Sequence, residues 1–191
     1  MNVKKIALFA SGSGTNAENI IRYFANNKLI KVDSLWSNKP AAYALTRASG
    51  FGIETFVFNR KQLYDTHEVE SKLKERNIDL IVLAGFLWLI PERMIKDFTI
   101  INIHPALLPK YGGKGMYGSK VHSAVADSGD SETGISIHFV NKKYDEGELI
   151  FQATCPVAPA DTPEEIAQNV HKLEYKYYPE VIEKILIKGE R

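Results

Sequence analysis

The sequence predicts an α/β fold: a mostly parallel sheet with helices on both faces and antiparallel edge strands near the C-terminus. Two observations carry this. Over residues 4–104, short apolar runs alternate with helical patterns, as expected of parallel strands joined by crossover helices. Beyond Pro109 the alternation stops, and apolar runs over 135–140 and 149–157 follow each other with no helix between them. Such a pair is expected to lie antiparallel at the sheet edge.

The elements follow in order. Residues 4–10, 32–37, 54–58, 79–84 and 99–104 read as strands. Residues 16–26, 41–49, 68–76 and 91–97 read as the helices between them. A glycine-rich loop over 111–118 precedes a short helix over 119–127. The C-terminal helix has an explicit start, because Thr162-Pro163-Glu164-Glu165 is a capping box with proline at the first helical position. Ile166, Val170, Leu173, Tyr177, Val181 and Ile185 then form one apolar stripe at spacings of three and four. Pro179 is expected to kink this helix or split it in two.

The bulk numbers narrow the function class. The chain has 191 residues, 45% hydrophobic and 25% charged, with a net charge of +1. That suits one domain over 1–191 with a substantial core, and no linker, repeat or low-complexity stretch interrupts it. There is no basic excess to bind nucleic acid. No segment approaches a membrane span, and the apolar run at 6–10 is short for a signal peptide. A cytoplasmic protein is expected. The single cysteine, Cys155, rules out an internal disulfide and a multi-cysteine metal site. It is expected to be a buried structural thiol.

The first strand runs into Ser11-Gly12-Ser13-Gly14-Thr15-Asn16. Its glycines and the following helix start present backbone N–H groups suited to a phosphate. The Gly12-x-Gly14-x-x-Ala17 spacing also fits a dinucleotide fingerprint. That reading needs an acidic residue at the end of strand 2, and Asp33 stands at the wrong end. A phosphate monoester is therefore preferred. A tight turn that binds nothing is the plain alternative. A nucleophile elbow is absent, because Ser11 stands where its first glycine belongs. His67-Glu68 lacks the second histidine of a zinc motif.

The run Asn102-Ile103-His104-Pro105 carries the chemistry. In a strand, side chains two apart share a face, so an amide and an imidazole project together while Ile101 and Ile103 face a core. The carboxyl end of a parallel strand is where such sheets place ligands. Asp145 lies on a later loop, beside a strand able to neighbour this one. An amide donor, an imidazole and a carboxylate suit acyl transfer: the first two hold an oxyanion, and the third orients or charges the imidazole. His67, His122 and His171 read as structural. His138, inside a strand, is expected to satisfy a hydrogen bond near the site.

These residues have a family likeness. Ala10–Asn16, Val82–Leu87, Ile101–Tyr111 and Tyr144–Gly147 resemble, in order and spacing, the motifs of the phosphoribosylglycinamide formyltransferases within the folate-dependent formyltransferase family. The likeness covers nearly the whole chain. It implies a Rossmann-like fold with a cleft at the carboxyl edge of its sheet. It implies transfer of a formyl group from 10-formyltetrahydrofolate, a co-substrate, to the primary amine of glycinamide ribonucleotide, with no metal. By resemblance, Asn102, His104 and Asp145 are catalytic, with His104 charged by Asp145. Gly12, Ser13, Gly14, Thr15 and Asn16 hold the substrate phosphate, and Glu174 binds its ribose. Leu87, Trp88, Leu89, Ile90, Val140, Asn141 and Tyr144 contact the folate. A cis Leu108–Pro109 bond is expected as in related enzymes. The partners are these two small molecules, with no nucleic acid and no membrane, in a monomer or homodimer. The alternative is formyl transfer to another small amine, such as an amino sugar nucleotide. The resemblance implies neither the C-terminal RNA-binding domain of the initiator-tRNA enzyme nor the N-terminal regulatory domain of formyltetrahydrofolate hydrolase.

Three departures stand out. Trp88 replaces an arginine of well-known members, with Arg93 as a candidate substitute for its folate contact. Glu146 replaces a common glycine. The loop 112–118 is longer, and its glycines are expected to make a mobile flap. Lys110 and Lys114 read as solvated loop lysines, with the phosphate as their alternative partner.

Overall fold

Residues 2–189 are described by a computed structural model. Five parallel strands form most of the sheet: β1 (Lys4–Phe9), β2 (Ile30–Ser37), β3 (Glu54–Val57), β4 (Leu80–Leu83) and β5 (Ile100–His104). Two more, β6 (Glu132–Phe139) and β7 (Leu149–Pro156), run antiparallel to their neighbours. The spatial order is β3-β2-β1-β4-β5-β6-β7. The chain moves outward from β1 in one direction and then, from β4, in the other. A crevice opens where the order reverses, beyond the carboxyl ends of β1 and β4.

Strand alternation divides the core. Ile6, Leu8, Leu80, Val82, Ile101 and Ile103 face one side. Ala7, Phe9, Ile81 and Leu83 face the other, with Phe58, Leu73 and Met94 packed on them. A sheet buried on both faces accounts for the near-continuous apolar strands of the sequence. Helices α1 (Thr15–Phe24), α2 (Tyr43–Gly50), α5 (Ser119–Ser128) and α6 (Pro163–Lys188) contribute to the first side. Helices α3 (Glu68–Glu75) and α4 (Glu92–Asp97) contribute to the second.

Helix α6 starts at the predicted capping box, with the Glu165 N–H donating to Thr162 Oγ1 and the Thr162 N–H donating to Glu165. It is not split, because the helix runs unbroken through Pro179. Proline lacks the N–H that would reach the carbonyl four residues back. Here Asn19 Nδ2, from α1, donates to that Tyr175 carbonyl at 2.8 Å instead. Asp33 sits within β2 and pairs with Arg76 at 2.6 Å, far from any cofactor role. A single wide helical turn at Lys61–Asp65 has no forewarning in the apolar pattern. Cys155 is only half-buried on the edge strand rather than fully buried. Among the described residues, no helix is long and apolar enough to cross a membrane.

Candidate active site

A cleft of about 540 Å³ occupies the predicted crevice. Its floor begins with the loop after β1. Gly14 has φ +76°, and a Cβ there would stand 2.5 Å from Ala44 Cβ. Only glycine permits that conformation and that approach. The loop is pinned from three sides: Ser11 Oγ donates to Asn38 Oδ1 at 2.7 Å, the Leu87 N–H donates to Ser11 Oγ, and Arg47 Nε donates to the Ser13 carbonyl. Gly14 caps α1 with no side-chain bond, so the helix start keeps its free N–H groups. Gly12, Ser13, Gly14, Thr15 and Asn16 all line the cleft.

The predicted trio meets at the end of β5. Asn102 Nδ2 lies 3.4 Å from Asp145 Oδ1. His104 Nδ1 lies 3.5 Å from Asp145 Oδ2. The opposite ring nitrogen, Nε2, donates to the Tyr111 carbonyl at 2.7 Å. His138 faces Asn102 across the β5–β6 pairing. Its Nδ1 donates to the Phe139 carbonyl at 2.9 Å, which leaves Nε2 to accept from Asn102 Nδ2 at 3.2 Å. The hydrogen bond expected of His138 is thus present, and it orients the amide of Asn102.

Asp145 is held by backbone. It has φ +55° and accepts from the Gly113 N–H at 2.9 Å. Gly147 lets its loop fold back onto β6, since a Cβ there would meet the Phe139 carbonyl at 1.6 Å. Burial pushes the Asp145 carboxyl up, but His138, His104 and the Gly113 N–H outweigh it and hold it below the usual carboxylate range. For His104 the balance differs from expectation. Burial lowers its pKa by more than Asp145 raises it, so the ring lies below the ordinary histidine range. The imidazole is too deep in protein for one carboxylate at 3.5 Å to offset lost hydration.

Leu87, Trp88, Leu89, Ile90, Val140 and Tyr144 form the far wall. Asn141 is not in it. Its side chain instead donates to the Glu146 carbonyl and accepts from the Lys143 N–H, shaping the loop. Arg93 is no substitute for a tail contact: its guanidinium is committed to Glu70 and to the Leu63, Tyr64 and Thr66 carbonyls. Arg60 does approach the wall, with its guanidinium 5.2 Å from the Trp88 ring centroid.

At the other end Glu174 is 5% exposed, not a solvated helix residue. It accepts from Asn16 Nδ2 at 2.9 Å, and burial pushes its pKa up to about 7. One turn on, Tyr178 donates to the Leu83 carbonyl and ties α6 to the floor of the cleft. His122 and His171, read as structural, also line the cleft. No signal in a single sequence marks them, because their place depends on how α5 and α6 pack. The loop 112–118 borders the cleft; its Gly113 N–H bonds Asp145, and the Tyr111 carbonyl just before it accepts from His104. Lys114 lines the cleft, whereas Lys110 pairs with Asp130 at 2.9 Å. The Leu108–Pro109 bond is cis.

Comparison with known proteins agrees with this fold. Residues 4–182 match the formyl transferase family model. A chloroplastic phosphoribosylglycinamide formyltransferase of Arabidopsis thaliana is 40% identical over 187 residues, 94% of this chain. The chain spans 64% of that plant protein's length. A phosphoribosylglycinamide formyltransferase of Haemophilus influenzae is 37% identical, over 94% of this chain and 86% of its own. The crystal structure of the Anaplasma phagocytophilum phosphoribosylglycinamide formyltransferase superposes with TM-score 0.86 at 32% identity, covering 97% of this chain and 87% of that one. The match over most of the chain, and relatives of this similarity, place the chain in the formyl transferase family.

Proposed function

We propose that this chain transfers the formyl group of 10-formyltetrahydrofolate to the primary amine of glycinamide ribonucleotide, in purine biosynthesis. The observation that carries the reading is an amide and an imidazole that each lie within 3.5 Å of one carboxylate, in the same cleft as a glycine loop at a helix start. The reading treats residues 1–191 as one cytoplasmic formyltransferase domain, working as a monomer or homodimer with small-molecule partners and no metal.

The phosphate of the acceptor sits on Gly12–Asn16, where N–H groups and the α1 dipole favour a dianion. Glu174 takes the ribose hydroxyls. The folate lies against Leu87–Ile90, Val140 and Tyr144, with its aryl portion over Trp88. The amine then attacks the formyl carbon beside Asn102. The bond from nitrogen to carbon forms as the carbonyl becomes an oxyanion, and Asn102 Nδ2 donates to that oxygen. The long contacts of Asn102, 3.2 and 3.4 Å, suit this, since catalytic hydrogen bonds tighten in the reacting complex. Asp145, ionised and facing the cleft, takes the amine proton through a water. His104 Nδ1 faces Asp145 and accepts that proton from it, which returns Asp145 to its carboxylate. The adjacent oxyanion favours the charged ring, which then delivers the proton to the departing folate nitrogen. The proton count closes: one leaves the amine and one reaches tetrahydrofolate.

The test is absorbance-monitored formyl transfer from 10-formyl-5,8-dideazafolate to synthetic glycinamide ribonucleotide. Turnover that collapses with the dephosphorylated acceptor is expected. Binding of the folate analogue without turnover would redirect the reading to another amine, such as an amino sugar nucleotide.

A further inference from the structure

Residues 87–90 of the far wall belong to no strand or helix. Among the described residues, none of their N–H or C=O groups bonds another backbone group. Two side chains hold this segment instead, each through a hydroxyl. The Leu87 N–H donates to Ser11 Oγ at 3.0 Å, and the Tyr64 hydroxyl donates to the Leu89 carbonyl at 2.8 Å.

The two hydroxyls reach the wall from different elements. Ser11 is buried just past the end of β1 and gives its own proton to Asn38 Oδ1 at 2.7 Å. Its oxygen is thereby turned to accept from the wall. Tyr64 sits on the wide helical turn Lys61–Asp65, a geometry frequent at functional sites. The two bonds bracket the peptide groups on either side of Trp88. Those groups, the Leu87 and Trp88 carbonyls and the Trp88 and Leu89 N–H, have no backbone partner among the described residues. Backbone polar groups in a wall need partners, and Leu87, Trp88 and Leu89 all border the cleft.

We propose that Ser11 and Tyr64 are positioning residues for the formyl donor, their hydroxyls fixing the course of residues 87–90 and with it the peptide groups that the donor meets. The inference rests on the function proposed above, which lays the folate along this wall. The phosphate loop has anchors of its own. The Ser11 N–H donates to the Gly85 carbonyl at 3.0 Å, the Ala44 N–H to the Gly12 carbonyl at 3.1 Å, and Arg47 Nε to the Ser13 carbonyl at 2.9 Å. Loss of either hydroxyl therefore weakens binding of the formyl donor and spares binding of the acceptor. Hydroxyls that only stabilised the fold would lower the melt and leave both affinities native.

Two variants test this. Tyr64→Phe deletes one hydroxyl and keeps the ring, which packs 6.2 Å from the Trp88 ring between centroids. Ser11→Ala deletes the other. Each is titrated calorimetrically with 10-formyl-5,8-dideazafolate and, separately, with glycinamide ribonucleotide. The Kd for the folate analogue is expected to rise about five- to tenfold in each variant, the scale of one hydrogen bond, while the Kd for the acceptor stays within about twofold. A Tyr64→Phe chain with native affinity for the folate analogue overturns the inference, whatever its melt. An equal loss for the two ligands overturns it too, since that marks a general loosening. Tyr64→Phe decides the matter even where Ser11→Ala, which leaves the Leu87 N–H without its acceptor, does not fold. A native chain that binds the folate analogue without turnover removes the acceptor reading alone, and the folate titration still decides this inference. A native chain that does not bind the folate analogue overturns the proposed function and this inference with it.

Discussion

Asn102 and His104 share a face because β5 is a strand, and they face a cleft because Ile101 and Ile103 take the core side. Replacing either by alanine is expected to leave the melt near native. A single lost oxyanion donor costs about 3–4 kcal/mol of barrier, so kcat for Asn102→Ala should fall by roughly 100- to 1,000-fold. Steady-state kinetics beside circular dichroism checks both parts. Glu174 carries a prediction about stability. Its carboxyl has a pKa of about 7 in the fold against an ordinary 4.5. A group raised in the native state contributes stability that is complete below its unfolded pKa and is lost as pH rises through the folded one. The window is therefore pH 4.5 to about 7, and the loss above it is roughly 3 kcal/mol. Glu174→Gln is expected to melt with the native chain at pH 4 and above it at pH 8, while its acceptor KM rises. Equal melts at pH 8 would show that the native carboxylate bears no such cost.

At the scale of elements, the connection from β5 to α5 does more than close a gap. Tyr111 has φ +56° and offers its carbonyl to His104, while its hydroxyl and Lys110 Nζ both donate to Asp130. Two residues on, the Gly113 N–H holds Asp145. The loop thus fixes His104 and Asp145 through backbone atoms, with Asp130 as an outer anchor. Asp130→Ala removes the anchor from a solvent-facing position. Stability should hardly change, since exposed pairs contribute little. Turnover is expected to fall on the order of ten- to a hundredfold, because small misplacements of catalytic groups are costly. A native kcat in that variant would show that the loop keeps its shape unaided. Helix α6 makes a comparable contribution, with Pro179 tolerated because Asn19 occupies the carbonyl it frees. That continuity keeps Glu174 and Tyr178 on one face, beside Asn16 and the end of β4.

For the whole molecule, the reversal of strand order at β1 and β4 sets the cleft, and ligand binding should be visible in the global melt. A ligand at a hundred times its Kd stabilises the native state by about 2.7 kcal/mol. For a chain of this length that is roughly a 5–10 °C rise in Tm. Glycinamide ribonucleotide at that excess is expected to produce it, and the dephosphorylated acceptor at the same concentration is not. Equal shifts for the two would remove the phosphate role of Gly12–Asn16.

Much of this was legible from residues alone. The strand and helix order, the antiparallel edge, the capping box at Thr162 and the pairing of Asn102 with His104 all follow from local rules: side-chain period, proline and glycine conformation, and capping chemistry. These are properties of neighbours in the chain, so a sequence carries them. The protonation of His104 was not legible, because it depends on how much protein surrounds the ring as well as on Asp145 nearby. Nor were the tie of Arg93 to three carbonyls, the turn-forming role of Asn141, the unbroken course of α6, or the place of His122 and His171 in the cleft wall. Each depends on groups distant in sequence that packing brings together, as Asn19 is brought to Tyr175 and Asn16 to Glu174. The sequence by itself determined the fold class and the strand that brings Asn102 and His104 to the cleft. Only the tertiary structure decided burial and partners, and with them which polar groups are spent on the fold and which are left for a substrate.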